Sequence, residues 1–187
     1  MKYVSIDIET TGIEVSESQI IEFAAIIEDS NDIKEFKDLP KYTKIVLHDK
    51  VIGTPYAINL NARIFKAIAE NDMSYQYVKY EYLAFDFFNW IKTYIKPNEN
   101  GIITFNAAGK NIGSFDLQHI KNIPNWNLYF KVRHRCIDPG TLFIDWINDE
   151  TVPSTEDIEK RSGIKIQNFH HALYDAWNVI QVLRTKY

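Results

Sequence analysis

The sequence is short of cysteine, of basic excess and of long apolar runs. One cysteine, Cys136, stands among 187 residues, so no internal disulfide can form and a reducing compartment is expected. The formal net charge is −4, which excludes a uniformly basic coat for nucleic acid but leaves room for a local basic groove. No apolar stretch approaches the roughly 18–20 residues of a membrane span. The opening MKYVSIDIE is too acidic, and its apolar run too short, for a signal peptide. Internal repeats and low-complexity segments are missing too. These absences lead to the expectation of a soluble, cytoplasmic protein. What is there is enough apolar material for a sizeable core, with 45% hydrophobic and 14% aromatic residues. The length fits one domain over 1–187.

The N-terminal third reads as strands. Residues 2–8 (KYVSIDI) and 19–28 (QIIEFAAIIE) are apolar and β-branched, and 32–38 (DIKEFKD) is a candidate third strand. Short links between them suggest an antiparallel meander. The middle turns helical. Residues 59–70 begin at a possible cap, Asn59, and carry Ile64, Phe65 and Ile68 at helical spacing. Residues 75–95 read as one long aromatic-rich helix closed by Pro97 and Gly101. A short buried strand is expected at 102–106, a helix at 114–121, a strand at 127–137, and helices at 154–162 and 169–186. The whole predicts a mixed α/β domain with helices against a sheet. Segment 40–58, with Pro40, Gly53 and Pro55, reads as a long loop over one face.

Asp7 and Glu9 sit two residues apart in the first predicted strand, so they share a face while Ile6 and Ile8 take the other. Adjacent carboxylates repel, and burying them unpaired is costly. A divalent cation with a preference for hard oxygen ligands, Mg²⁺ or Mn²⁺, is the natural counter-charge. A half-exposed strand end is the bland alternative for a bare D-x-E. Thr10-Thr11-Gly12 follows, where Gly12 allows a tight turn close to a ligand and a Thr hydroxyl or amide can hold a sugar hydroxyl. A second acid, Asp116, follows a predicted strand and starts a predicted helix, where it would equally serve as a cap. The small-residue stretch NAAGKNIG before it allows close backbone approach, and Lys110 and Asn111 within it could reach phosphate. Near the C-terminus, HHALYDAWNVIQVL places Asp175 in a helix with one apolar face, and His170 five residues earlier.

Taken in order, D-x-E-T-T-G, then N…F-D, then H-x-A-x-x-D-A resembles the DEDDh 3′–5′ exonucleases, the group of proofreading exonuclease subunits and oligoribonuclease. The motifs span residues 7–176. The resemblance implies a ribonuclease H-like fold, a mixed sheet of about five strands flanked by helices. It implies two divalent cations, Mg²⁺ or Mn²⁺, and release of nucleoside 5′-monophosphates from single-stranded DNA or RNA 3′ ends. By position, Asp7, Glu9, Asp116 and Asp175 match the metal-binding acids and His170 the general base, with Thr10 at the terminal ribose. His171 occupies the place where a sister subgroup has Tyr. The second motif is longer than the family's compact form, and either Asn106 or Asn111 can fill its Asn.

Around such a site, Tyr56 and Leu60 can stack or wedge against a terminal base, with local core as the alternative. Lys131, Arg133 and Arg135 would share one strand face and contact phosphates, or simply charge an edge strand. The aromatic density of 75–90 leaves a homodimer open, and the small size leaves association with a polymerase open. Two other functions compete: a binding module with a dead site on the same fold, and a phosphohydrolase of small nucleotides.

Overall fold

The computed structural model describes residues 1–166 and 170–187. Strand β1 (Lys2–Thr10) alternates as its sequence does, with Val4, Ile6 and Ile8 on one face and Tyr3, Ser5, Asp7 and Glu9 on the other. It pairs antiparallel with β2 (Ile20–Asp29), in a register that sets Asp7 opposite Ala24 and Glu9 opposite Glu22. Strand β2 pairs antiparallel with β3 (Lys41–Leu47), which pairs in parallel with β4 (Tyr77–Lys79). Strand β5 (Ile103–Phe105) leads into β6 (Ala107–Ala108), which lies parallel to β1 and closes a five-stranded sheet in the order β4-β3-β2-β1-β6. β5 itself pairs in parallel with β7 (Phe130–Val132), and a bridge from Ala108 to Ile137 carries that side of the sheet one step further.

The helices are α1 (Pro55–Leu60), α2 (Ala62–Glu70), α3 (Leu83–Ile91), α4 (Asp116–Ile120), α5 (Trp126–Tyr129), α6 (Pro139–Leu142), α7 (Thr155–Ser162) and α8 (Ala172–Arg184). The sheet face bearing Val4, Ile6, Ile8 and Phe23 meets α3 and α5 in the main core. There Phe87 stacks on Trp126 at 5.9 Å and tilts against Phe23 at 5.0 Å. Rings of this size bury enough apolar area to dominate the folding energy. The opposite face receives α8, whose Ala176, Val179, Ile180 and Leu183 close over Tyr3 and Ile26. Ala24 and Ala176 keep that interface thin, and Ser5 Oγ donates to the Ala176 carbonyl at 2.8 Å. This close seating brings Asp175 down onto Asp7. Among the described residues no helix is long and apolar enough to cross a membrane.

The α/β arrangement, a mixed five-stranded sheet with helices on its faces, is the one expected. Several element boundaries are not. Residues 32–38 form no strand; Phe36–Asp38 is a 3₁₀ turn whose carbonyls accept from Lys41 Nζ. The third strand is β3, inside the segment read as a loop over 40–58, whose remaining turn at 48–54 runs straight into α1. Pro40 and Gly53 bracket that strand, and the punctuation masked the alternation between them. The helix expected at 59–70 is two helices that share Asn61 as a joint. The long helix expected at 75–95 shortens to α3. Val78 is instead buried in a strand, and Tyr77 Oη donates to the Ala67 and Asp72 carbonyls, so tertiary partners override the helical pattern. The strand expected at 127–137 starts as α5, because Trp126 is drawn into the core, and keeps only β7. The helix expected at 169–186 is α8; residue 169 lies outside the described residues.

Candidate active site

The two carboxylates of β1 are joined from above by the first turn of α8. Ligand oxygens of Asp7, Glu9 and Asp175 all lie within 4.8 Å of one another. Burial, then the charges of Asp116, Asp175, Glu9 and Glu22, pushes the Asp7 carboxyl well above the carboxylate range. Glu9 is pushed up to about 7, by burial first and then by Glu22 and Asp175. Burial also raises Asp175, against the His171 N–H that donates to its Oδ2 at 3.2 Å. Three carboxylates gathered this closely, each raised first by burial, form the donor set that a hard divalent cation fits.

Asp116 opens α4, is 3% exposed, and is raised chiefly by burial. It is absent from the tight trio, although its charge acts on Asp7. The chain reaches it through a turn laid directly on β1: a Cβ at Gly109 would stand 2.8 Å from the Ile6 carbonyl, so only glycine fits. Asn111 adopts φ 54, and its carbonyl accepts from the Ser114 and Phe115 amides at 3.0 Å each. Its own amide donates to Asp138 Oδ2 at 2.9 Å. Asn106 instead bonds the Lys2 carbonyl at 3.1 Å, at the far end of β1. Lys110 donates to the Thr155 hydroxyl and lines one cavity with Asp7, His170 and Asp175.

The two histidines part company. His170 is exposed and lines that same cavity. His171 is half-buried and turns the other way, with Nδ1 3.7 Å from Glu22 Oε1 and its ring edge-on to Tyr174. Burial lowers the His171 pKa.

Beside Glu9 a cleft of about 490 Å³ opens, walled by Thr10, Gly12, Tyr56, Leu60 and Phe115. Tyr56 is 77% exposed, so it is surface and not local core. The Thr10 hydroxyl donates to the Gly12 carbonyl at 2.7 Å, which fixes the turn. Thr11 does not face the cleft, contrary to expectation. It is fully buried, and its hydroxyl accepts from the Gln19 amide and donates to the Ile52 carbonyl. Gly53 packs so closely on Thr11 that a Cβ there would overlap it. The basic triplet does not form one strand face either, because β7 ends at Val132 and Arg133 and Arg135 follow it in an exposed turn.

Three site residues escaped the sequence reading. Asn61 lines the cleft, donates to the Thr10 carbonyl at 3.3 Å and bonds Glu9. Glu22 is 1% exposed and ion-paired with Arg63. A charge inside the apolar run QIIEFAA was the available signal for Glu22; nothing local marks Arg63.

The RNase_T family, described as exonuclease, matches residues 4–183, nearly the whole chain. The chain belongs to the RNase_T exonuclease family. The three acidic motifs all fall within the matched residues. No curated protein sequence matches this chain. Among solved structures it is similar to E. coli exonuclease I in complex with a dT13 oligonucleotide, at TM-score 0.64 and 22% identity, over 98% of this chain and 40% of that one. The zinc-bound E. coli exonuclease I complex with single-stranded DNA matches at TM-score 0.64 and 18% identity, over 98% and 40%. A product-bound exonuclease I matches at 0.65 and 16%, over 98% and 42%. At these identities the likeness is one of fold, and the chain spans about 40% of the length of those proteins.

Proposed function

We propose that this exonuclease removes nucleoside 5′-monophosphates one at a time from the 3′ end of single-stranded nucleic acid. The observation that carries the reading is the meeting of Asp7, Glu9 and Asp175 within 4.8 Å, with His170 lining the same cavity as Asp7 and Asp175. The oligonucleotide complexes of the similar exonuclease I structures support single-stranded DNA as a substrate.

Asp7, Glu9 and Asp175 would hold the divalent cation, with Asp116 contributing to a second position beside Asp7. Bound Mg²⁺ or Mn²⁺ neutralises charge on the scissile phosphate and activates water. The chain supplies the rest. His170 accepts a proton from the attacking water at a ring nitrogen, a task within reach of an imidazole near neutral pH. The water oxygen bonds to phosphorus, the bond from phosphorus to the 3′ oxygen of the penultimate nucleotide breaks, and the shortened strand leaves with that oxygen. Glu9 and the Thr10 turn face the terminal sugar. Tyr56, Leu60 and Phe115 sandwich its base, which any base satisfies through its π-face. Lys110, and Asn111 through its turn, stand on the phosphate side. A cleft open at one side fits a polymer end better than a small free nucleotide.

A 5′-labelled single-stranded DNA and its RNA counterpart, incubated with Mg²⁺, Mn²⁺ or chelator, test this. A one-nucleotide ladder receding from the 3′ end, lost in chelator, is expected. Internal cuts, or a ladder that persists in chelator, would refute it.

A further inference from the structure

The ion pair between Glu22 and Arg63 has no part in the chemistry above. Glu22 lies on β2 with 1% exposure, and Arg63 comes from the first turn of α2. Arg63 Nη1 stands 3.3 Å from Glu22 Oε1, and Nη2 bonds Oε2. A buried ion pair is seldom better for stability than apolar residues of the same volume. Its place in the fold therefore points to something other than stability.

What the pair holds is main chain. Arg63 Nε and Nη2 both donate to the His170 carbonyl, at 3.2 and 3.0 Å. Glu22 Oε2 accepts from the Ala172 amide at 3.0 Å. Between them the His171 amide donates to Asp175. Three successive residues thus each have one main-chain group fixed by a side chain, and the ion pair fixes two of the three. His170 has φ 44, in the left-handed region that non-glycine residues enter at a cost. Such a conformation persists where the surroundings over-determine it. With the His170 carbonyl turned toward Arg63, the direction of its Cα–Cβ bond is set. The imidazole is left on the cavity that Asp7 and Asp175 line.

We infer that Arg63 and Glu22 are positioning residues, a latch that holds the turn at 170–172 so that the His170 ring faces the scissile phosphate. This rests on the reading of His170 as the base. The inward donors of the guanidinium are committed to Glu22 and His170, so Arg63 acts through the turn and not on the substrate. A displaced base lowers turnover steeply because proton transfer requires hydrogen-bond contact. Grip on the strand is untouched.

The test is a double-mutant cycle, with kcat and KM measured on a 5′-labelled single-stranded oligonucleotide in Mg²⁺. The chains are wild type, Arg63→Ala, His170→Ala and the double variant. Arg63→Ala should lower kcat by roughly tenfold or more, with KM and its salt dependence nearly unchanged. In the His170→Ala background the same change should have almost no further effect. Losses that multiply in full would overturn the latch, as would a KM that rises steeply with salt, the mark of a phosphate contact. If circular dichroism shows Arg63→Ala unfolded, Glu22→Gln together with Arg63→Met removes both charges and is read the same way. A His170→Ala enzyme as active as wild type overturns the base assignment, and the latch with it. A His170 defect beside an independent Arg63 defect overturns the latch alone.

Discussion

Asp7 and Glu9 owe their raised pKa values first to burial and then to neighbouring carboxylates, Asp116 and Asp175 for Asp7 and Glu22 and Asp175 for Glu9, and a bound cation would offset both. Replacing Asp7 or Asp175 by Asn therefore has two opposite effects. Metal-dependent hydrolysis should fall by more than the roughly 10–100-fold that loss of an outer metal partner brings. In chelator, at a pH high enough to ionise the cluster, the same variants should melt a few degrees higher than wild type, because a repelling charge is gone. Activity assays and thermal melts on one preparation check both. Retained activity in either variant would sink the site assignment. His170→Ala should lower kcat by about 10²–10⁴-fold with metal affinity kept. His171→Ala should do much less to kcat, since its ring faces Glu22 and Tyr174. That Asp7, Glu9 and Asp175 would meet, with His170 at the same cavity, was legible in the sequence because each motif keeps its own local spacing. Asn61 and Arg63 were not, because only tertiary contact gives them a role.

At the scale of elements, the site depends on two close approaches. One is α8 on the sheet. Ile180, fully buried between Tyr3, Ile26 and its helix neighbours, should cost about 2–5 kcal/mol when cut to Ala, and Asp175 should lose its register over Asp7. Urea unfolding and Mg²⁺ titration of Ile180→Ala measure the two effects. The other approach is the 48–54 turn on Thr11. Gly53→Ala should push that turn outward, which moves the Thr54 cap of α1 and with it Tyr56 and Leu60. A raised KM with near-normal kcat on short oligonucleotides is the expected outcome; an unchanged KM would detach the cleft from terminal-base binding. Elements with their own periodicity and caps, such as β1, β2, α7 and α8, were legible in the sequence. Those defined by partners were not. β4 exists because β3 offers an edge, and the residues that form it read equally well as helix.

For the whole molecule, the cluster makes stability a function of pH and of metal. Folded-state pKa values of Asp7, Glu9, Asp116 and Asp175 lie above their ordinary values. Such groups stabilise the metal-free fold while protonated, and that contribution is lost as pH rises through their folded values, up to about 7 for Glu9. In chelator, Tm should fall between about pH 5 and pH 8. Added Mg²⁺ should restore it, by more at pH 8 than at pH 5, because only the ionised cluster binds. A metal-induced shift that is equal at both pH values would argue that the cation binds elsewhere. The fold class was legible from the strand block followed by alternating helices and strands. The break of one side of the sheet into β5 and β6 was not, because Asn106 interrupts it through a tertiary bond to Lys2.

The two halves of the site are anchored in unlike ways. Asp7 and Glu9 ride on a strand paired on both sides along part of its length, with Val4 and Ser5 flanked by β2 and β6. The amides of His171 and Ala172 end on carboxylates instead. In deuterated water the β1 amides should exchange only when the whole domain unfolds. Those of 171 and 172 should exchange whenever Asp175 or Glu22 lets go. Catalytic competence would then be lost and regained many times within the lifetime of a single folded molecule.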